Sequence, residues 1–459
     1  MPSLVRMNLK YIFLVLISAI CTRMQAQIPV NSPYSRFGIG LTEIGFNPRY
    51  SAMGNASIAL PDLSGVNLSN PASFALFSET TFQGSVFAKS SQLLSNSGET
   101  NYLGGQIGEI AFGFKRTGSK WGFAMGITPE SIVGYQFSST NVVNDSLSAK
   151  NSYTGEGGVN KVQLGLARTF ILYSDSTRSR THTLSIGSNL NFRFGSILQV
   201  DRIVFDNTSV YNSKITNRKT FSDANFTFGA QYSFPIHQRK SAGKVSRSTW
   251  FHLAGTYELE NNVNPDVQDI RQSTRTVSGI ELAVLTVLDT TYTNLSFTLP
   301  QKIQIGAVVS HEFKKSGTLS LSASYRQQDW KSIENLNSLI QVSNQSFHNS
   351  TSFGLGLEYI PNANGGENNY FGACTYRVGM KSSETYVGLN GNNIIQEAFT
   401  CGLQMPMRSS KTTSTICLSA EFGTYGNAIE TSTKENYASF LIGFKLHPFE
   451  RWFVQRKYD

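Results

Sequence analysis

The sequence predicts an all-β chain that closes into a transmembrane antiparallel barrel, and three observations carry that expectation. After residue 26 no apolar run reaches the roughly 18 residues that a membrane-spanning helix needs. Apolar residues recur instead at every second position, the pattern of strands with two unlike faces. Many of these runs reach roughly nine to eleven residues, enough to cross a bilayer at a tilt, whereas strands of soluble sheets average about five or six.

In chain order, residues 1–26 have the layout of an export signal. A basic flank (Arg6, Lys10) precedes the apolar stretch Tyr11–Ile20, and Met24-Gln25-Ala26 offers a loose small-residue cleavage site before Gln27. The stretch is too short to span a bilayer as a helix. Cys21 follows Ile20, which is larger than lipid-attachment sites usually accept, so cleavage between Ala26 and Gln27 is expected.

Residues 27–80 lack sustained alternation and read as coil, with a short helical turn near 53–59 and turn residues at Pro61-Asp62, Ser64-Gly65 and Asn70-Pro71. Yet this prefix holds Ile58, Leu60, Leu63, Val66, Leu68, Phe74 and Leu76 and has few charges, the opposite of a disordered tail. It is expected to plug the lumen as an N-terminal hatch, leaving residues 81–459 as the barrel.

Within the barrel, strand candidates fall near 81–90, 106–116, 119–128, 132–140, 153–172, 181–199, 219–236, 248–260, 279–289, 300–314, 317–330, 349–360, 369–380, 396–406, 412–424 and 435–447. The weakest alternation is in 81–90 and 279–289. Tight links at 117–118 and 315–317 suit periplasmic turns. The longer polar links 141–152, 200–218, 261–278, 361–368 and 425–434 suit outer loops. Single-chain bacterial barrels favour even strand counts, so about fourteen strands are expected, with about sixteen the alternative.

Parity assigns faces. Leu184, Ile186, Leu190, Phe192 and Phe194 share one face against Ser185, Gly187, Asn189, Asn191 and Arg193. Near the end, Phe440, Ile442 and Phe444 should meet lipid, with Ser439 and Leu441 turned inward. The same count places Cys374 and Cys401 toward lipid and Cys417 in the lumen, so no disulfide is expected. Glu109, Glu258, Glu358 and Glu421 fall on the lumen parity and, with Arg193, Lys302 and Arg377, would give a charged interior.

Composition excludes several functions. The formal net charge of +9 falls to +6 once Arg6, Lys10 and Arg23 leave with the signal, and the remaining basic residues are scattered rather than clustered as a nucleic-acid footprint requires. The six histidines show no ligand spacing, so neither metal nor cofactor is expected. Residues 113–120 (GFKRTGSK) approach a phosphate-binding loop, but Lys and Ser are in the wrong order and the segment joins two strands. GxSxG is absent, and with no catalytic motif the chain is not expected to be an enzyme.

The order of several short motifs resembles the FadL-like outer-membrane transporters of hydrophobic compounds. The similarity rests on residues 299–306 (LPQKIQIG), Tyr325, Asp329-Trp330, residues 353–361 (FGLGLEYIP) and residues 376–380 (YRVGM). In the prefix it rests on residues 52–59 (AMGNASIA) and Asn70-Pro71-Ala72-Ser73, which resemble the family's hatch and its Asn-Pro-Ala signature. The resemblance implies a 14-stranded barrel plugged by an N-terminal hatch, with Met53, Gly54, Asn70 and Pro71 as hatch or gating residues. It also implies hydrophobic ligands that leave sideways into the outer-membrane lipid of a Gram-negative bacterium. The chain departs from the family in keeping little of the Gly-rich hatch box beyond Gly54 and in lacking a terminal aromatic. The same superfamily contains the shuttle barrel of the type IX secretion system. Two functions therefore stand: passive transport of hydrophobic small molecules of the long-chain fatty-acid type, or a partner-binding barrel in an outer-membrane secretion or envelope-assembly machine.

Overall fold

The computed structural model describes residues 32–447, except 43–44, 331–344, 362–369, 408–413, 427–432 and a few turn residues. The expected export signal lies outside the described residues. The strands in order are β1 (Thr81–Ser95), β2 (Gly98–Phe114), β3 (Trp121–Asn144), β4 (Leu147–Asp175), β5 (Arg180–Phe205), β6 (Asn212–Ser241) and β7 (Lys244–Glu258). Then come β8 (Asn261–Val263), β9 (Asp266–Val277), β10 (Ile280–Tyr292), β11 (Phe297–Leu299), β12 (Lys302–Phe313) and β13 (Gly317–Gln328). The last six are β14 (Gln345–Phe347), β15 (Ser350–Ile360), β16 (Thr375–Leu389), β17 (Asn392–Pro406), β18 (Thr415–Tyr425) and β19 (Thr433–Leu446).

Fourteen of these form a closed antiparallel barrel: β1 to β7, β12, β13 and β15 to β19. The seam closes between the first and last strands, from Phe82↔Leu446 to Ser95↔Thr433. Closure pairs the wall all the way round, as a sheet in lipid requires, except where β2 and β3 part above Ile110 and Ile127. The faces follow parity: Phe440, Ile442 and Phe444 lie outward and exposed, whereas Ser439 and Leu441 lie inward and buried. The end carrying the long connections between β7 and β12 and between β13 and β15 is the outer one, as in bacterial barrels generally.

The strands are unequal. β3, β4, β5 and β6 run 24, 29, 26 and 30 residues, whereas β12, β13 and β15 run only 12, 12 and 11. Crossing the membrane takes about 9–11, so the outer halves of the four long strands rise beyond it as a sheet. β9 extends that sheet by pairing Asp266–Thr274 with Thr220–Asn212 of β6, and β10 pairs on β9.

This sheet corrects several expectations. Most of 141–152 and most of 200–218 are strand rather than loop; with their described side chains exposed or half-buried apart from Ala149, Val200 and Asn212, these segments carry the same polar composition as a loop. Likewise 261–278 contains β8 and β9. The runs 119–128 and 132–140 are one strand, β3, with a bulge between Pro129 and Ser131 that shifts parity. Segment 81–90 is a full barrel strand, and 279–289 is a strand that stands outside the wall. The link 361–368 joins β15 to β16 at the periplasmic end, the end at which β12 meets β13, and not at the outer end. Cys374 is buried rather than lipid-facing, because it lies in the 3-10 turn that precedes β16, where strand parity does not yet apply. Cys401 and Cys417 fall on the expected faces, half-buried and buried.

Candidate functional site

The lumen is occupied by residues 32–80. Residues 32–42 lie in its outer half, where Leu41 bridges Ile132 of β3 and Ser32 N–H donates to the Gly134 carbonyl at 2.9 Å. A one-turn helix (Pro48–Ser51), capped by the Asn47 side chain accepting from Arg49 N–H, then turns the chain toward the middle of the barrel. A 3-10 turn (Pro71–Ala75), capped by Asn70, brings it to the opposite wall. Inward-facing glycines make room for these turns. A Cβ at Gly356 or Gly379 would strike Met53, and one at Gly122 would strike the Phe74 carbonyl.

Charge fixes the prefix to the wall. Arg49 donates to Glu358 of β15 through Nε and Nη2 at 3.1 and 3.0 Å and pairs with Asp62 at 2.8 Å. Glu358 also receives Arg377 Nε at 2.6 Å, and Asp62 receives Lys445 Nζ at 2.5 Å. All five side chains are buried. Burial by itself would raise the Asp62 carboxyl, but Arg49 and Lys445 hold it well below the usual carboxylate range. Buried charges are costly unless paired and hydrogen-bonded, so this network works as a latch between prefix and barrel.

A second cluster lies between β3, β5, β7 and β12. Arg193 reaches Glu130 at 2.5 Å, Asp223 at 3.2 Å and also Glu258, while Lys161 and Lys302 stand 3.6–3.8 Å from Glu130 and Glu258. Glu130, Lys161, Glu258 and Lys302 face a cavity of about 170 Å³ bounded by the prefix residues Phe46, Asn47 and Tyr50. Outward of it, a mostly apolar pocket of about 40 Å³ is lined by Ile39, Phe221, Val263, Phe297 and Trp330 together with Arg193 and Asp223, and shares Thr42, Glu130 and Lys302 with the cavity. At the periplasmic end a third hollow, about 540 Å³, opens between Leu63 and Leu76 of the prefix and Trp250 and Ile360 of the wall.

Beside the charged cavity the wall is incomplete. β2 pairs with β3 only over Ile110–Phe114 against Phe123–Ile127. Above that point β2 continues on β1 and β3 on β4, so the two strands part. The Pro129/Ser131 bulge sits at the parting, and Pro129 lacks the N–H that a ladder needs. On the β3 side the gap is edged by the prefix: Leu41 N–H donates to Ile132 O at 2.9 Å and Ile132 N–H to Leu41 O at 3.0 Å. Glu109, Thr128, Pro129 and Glu130 line both the gap and the cavity.

Of the residues singled out in the prefix, Met53 is fully buried, and Gly54, in the left-handed region (φ +62°), donates its N–H to Thr400 Oγ1 at 3.0 Å on β17. Asn70 donates to the Ile58 carbonyl at 2.8 Å, and Pro71 packs at Gly187 and Gly229 on β5 and β6. The two pairs sit on different walls and are not brought together. The lumen charges expected from parity are in place, with Glu358 bonded to Arg377 and Glu258 to Arg193. Sequence reasoning missed Arg49, Asp62, Glu130 and Lys445. The available signal was that the prefix holds few charges, so Arg49 and its one Asp, Asp62, among apolar groups needed partners in the wall.

The BamG family model matches residues 7–459. No curated protein is found to match the sequence. Among solved structures, the toluene transporter TbuX of Ralstonia pickettii is similar at 13% identity, covering 90% of this chain and 99% of its own, with a TM-score of 0.51. A Pseudomonas aeruginosa FadL homologue is similar at 11% identity over 88% and 98%, with a TM-score of 0.50. A deltaS2S3 mutant of the monoaromatic hydrocarbon channel TodX is similar at 12% identity over 88% and 99%, with a TM-score of 0.52. At these identities the likeness is one of fold, that of bacterial outer-membrane barrels. The chain is thus an outer-membrane β-barrel of the FadL-type fold and belongs to the BamG family.

Proposed function

We propose that the barrel is a passive route for small hydrophobic or amphipathic molecules, which enter at the outer apolar pocket, pass the charged cavity and leave sideways between β2 and β3. The observation that carries this reading is the parting of β2 and β3 beside a cavity that continues into the pocket at Phe221 and Trp330. The ring of Glu130, Lys161, Glu258 and Lys302 suits a ligand with one polar end and an apolar body, such as a fatty acid, because desolvated charges favour a partner of opposite sign. Residues 32–42 are the gate. Met53, Gly54, Asn70 and Pro71 anchor the part of the prefix that stays, since their sockets and hydrogen bonds leave them little room. The test is a disulfide staple, Leu41→Cys with Ile132→Cys in a Cys401→Ser background. Intact cells carrying it should lose uptake of a fluorescent long-chain fatty acid when oxidised and regain it with reductant. Uptake indifferent to the staple overturns the route.

A second reading, a partner-binding subunit of an envelope-assembly or secretion machine, is favoured by one observation. Strands β3 to β6 rise far beyond what a bilayer requires, and with β9 and β10 they form a sheet that the lumen route does not use.

A further inference from the structure

The outer sheet ends in a bare strand. β10 pairs with β9 along one side, from Ile280↔Val277 to Tyr292↔Val267, and among the described residues no strand pairs with its other side. Its height is outside the membrane: β9 lies against residues 212–220 of β6, whereas the lipid-facing Phe226 and Phe228 lie further down that strand. Its apolar side chains are in water on both faces, with Leu282, Val284, Leu285 and Val287 each at least half exposed (51, 50, 60 and 66%). Residues 282–288 (LAVLTVL) hold no charge, Pro or Gly.

Such a segment on an open edge is a template for pairing and an aggregation hazard. Proteins blunt edges with Lys, Pro, shortness, bulges or a cover. β10 has 13 residues and neither Lys nor Pro. Two bulges, at Ala283/Leu285 and Thr286/Leu288, twist it locally, but they leave its apolar side chains exposed. A cover from elsewhere would complete the protection.

We propose that β10 is a strand-addition site for an extended segment of another polypeptide, one that alternates apolar residues and carries Lys or Arg at its ends. The free row of N–H and C=O groups calls for a backbone, which lipid tails do not supply. The only charges on β10 are acidic: Glu281, half-exposed and paired with Arg202 at 3.2 Å, and Asp289, which has no ion pair among the described residues. A second copy of this chain fits poorly, since antiparallel self-pairing centred on Leu285 sets Glu281 of each copy opposite Asp289 of the other, and like charges directly opposite are destabilising. The inference rests on the partner-binding reading and deepens it by naming the kind of partner.

The probe is a synthetic eleven-residue peptide of alternating Val and Thr with Lys at both ends, fluorescently labelled and titrated by anisotropy against the full chain in mild detergent. Binding should fall about tenfold or more when alternate backbone amides are N-methylated, because the added methyl groups remove the ladder donors. It should also fall when the terminal Lys residues become Glu, and vanish in a Val284→Lys/Val287→Lys variant whose exposed positions leave the barrel intact. Equal binding of the N-methylated peptide, or binding retained by the double variant, overturns the proposal. In cells, a photo-crosslinker at Val284 should capture a second polypeptide. Adducts confined to this chain's own residues 331–344, to another copy or to lipid overturn it. A crosslinker at Val142, at the far tip of the same sheet, separates the two levels. Protein adducts at Val142 with none at Val284 would leave a partner-binding subunit without strand addition, and none at either position would remove both.

Discussion

The two halves of strands β3 to β6 show what each solvent demands. In their membrane halves the inward side chains meet prefix or partner: Arg193 is held by three carboxylates, Asn191 donates to Asn225 and Thr227, and Gly165 and Gly187 leave space for the prefix. In their outer halves the inner face still packs, with Tyr135, Val159, Ile197 and Phe221 buried, whereas β10 at the edge has water on both faces and no described strand in register with it on its far side. A barrel interior is a place where every substitution is felt; the far edge of the outer sheet is a surface, tolerant of change and available to others.

The sharpest way to break that contrast is to remove one charge from each half. Glu358→Ala leaves Arg49 and Arg377 buried without their carboxylate and should cost ~3–5 kcal/mol, read as a lower urea midpoint for unfolding from vesicles. Glu281→Ala on β10 breaks the half-exposed pair with Arg202 and should cost ~0–1 kcal/mol. Equal losses would mean that the latch is not a lumen device. Next in size, Ile442→Arg on the lipid face should cost ~2–4 kcal/mol near the midplane, whereas Val287→Arg, equally exposed but above the membrane, should stay within ~0.5 kcal/mol. A penalty at Val287 like that at Ile442 would place β10 in lipid and end the distinction.

Within the lumen, Gly122→Ala pushes a methyl into the Phe74 carbonyl and should destabilise by ~1–3 kcal/mol. Gly255→Ala, on the lipid face with the exposed Leu253 and Tyr257, meets nothing nearer than 3.7 Å and should be close to neutral, within ~0.5 kcal/mol. The smallest effect concerns acid. Because the Asp62 pKa is lowered in the folded chain, its contribution is complete above the ordinary Asp value of about 3.9 and is lost as pH falls through the lowered value. Urea midpoints should therefore owe no change to Asp62 between neutral pH and that value, with a loss below it that Asp62→Asn abolishes.

The wall was legible because period-two alternation survives wherever lipid meets one face and a packed lumen the other. The outer halves were not, because strands whose side chains are mostly exposed or half-buried keep a polar composition that looks like a loop, as at 141–152 and 200–218. β3 was split in two because the Pro129/Ser131 bulge flips parity in mid-strand. In the site, Glu258, Glu358, Arg193 and Arg377 could be placed in the lumen by counting, but Arg49, which meets Glu358, and Asp62, which meets Arg49, sit in a one-turn helix and in coil, too short for periodicity to say which way a side chain points. The parting of β2 from β3 left no trace in either strand's own pattern, since pairing is a property of two segments.

The plug also touches the strand that closes the seam, and this dictates an order of assembly. Ser32 bonds Glu435, Tyr34 Oη donates to the Thr433 carbonyl at 2.7 Å, and Asp62 meets Lys445, all on β19, with up to 403 residues of chain between the partners. The first segment to leave the export machinery must therefore wait, with its apolar groups bare, until the last strand is delivered. Contacts of such sequence separation form slowly. A cylinder finished without the prefix would leave Glu358 and Lys445 buried without their prefix partners Arg49 and Asp62, so the wall is expected to form around its contents with the β1–β19 seam shutting last. A chain truncated before β19 would lose the seam and the grip on its own beginning in one stroke, which makes the closing strand a proofreader of whether the inside has been filled.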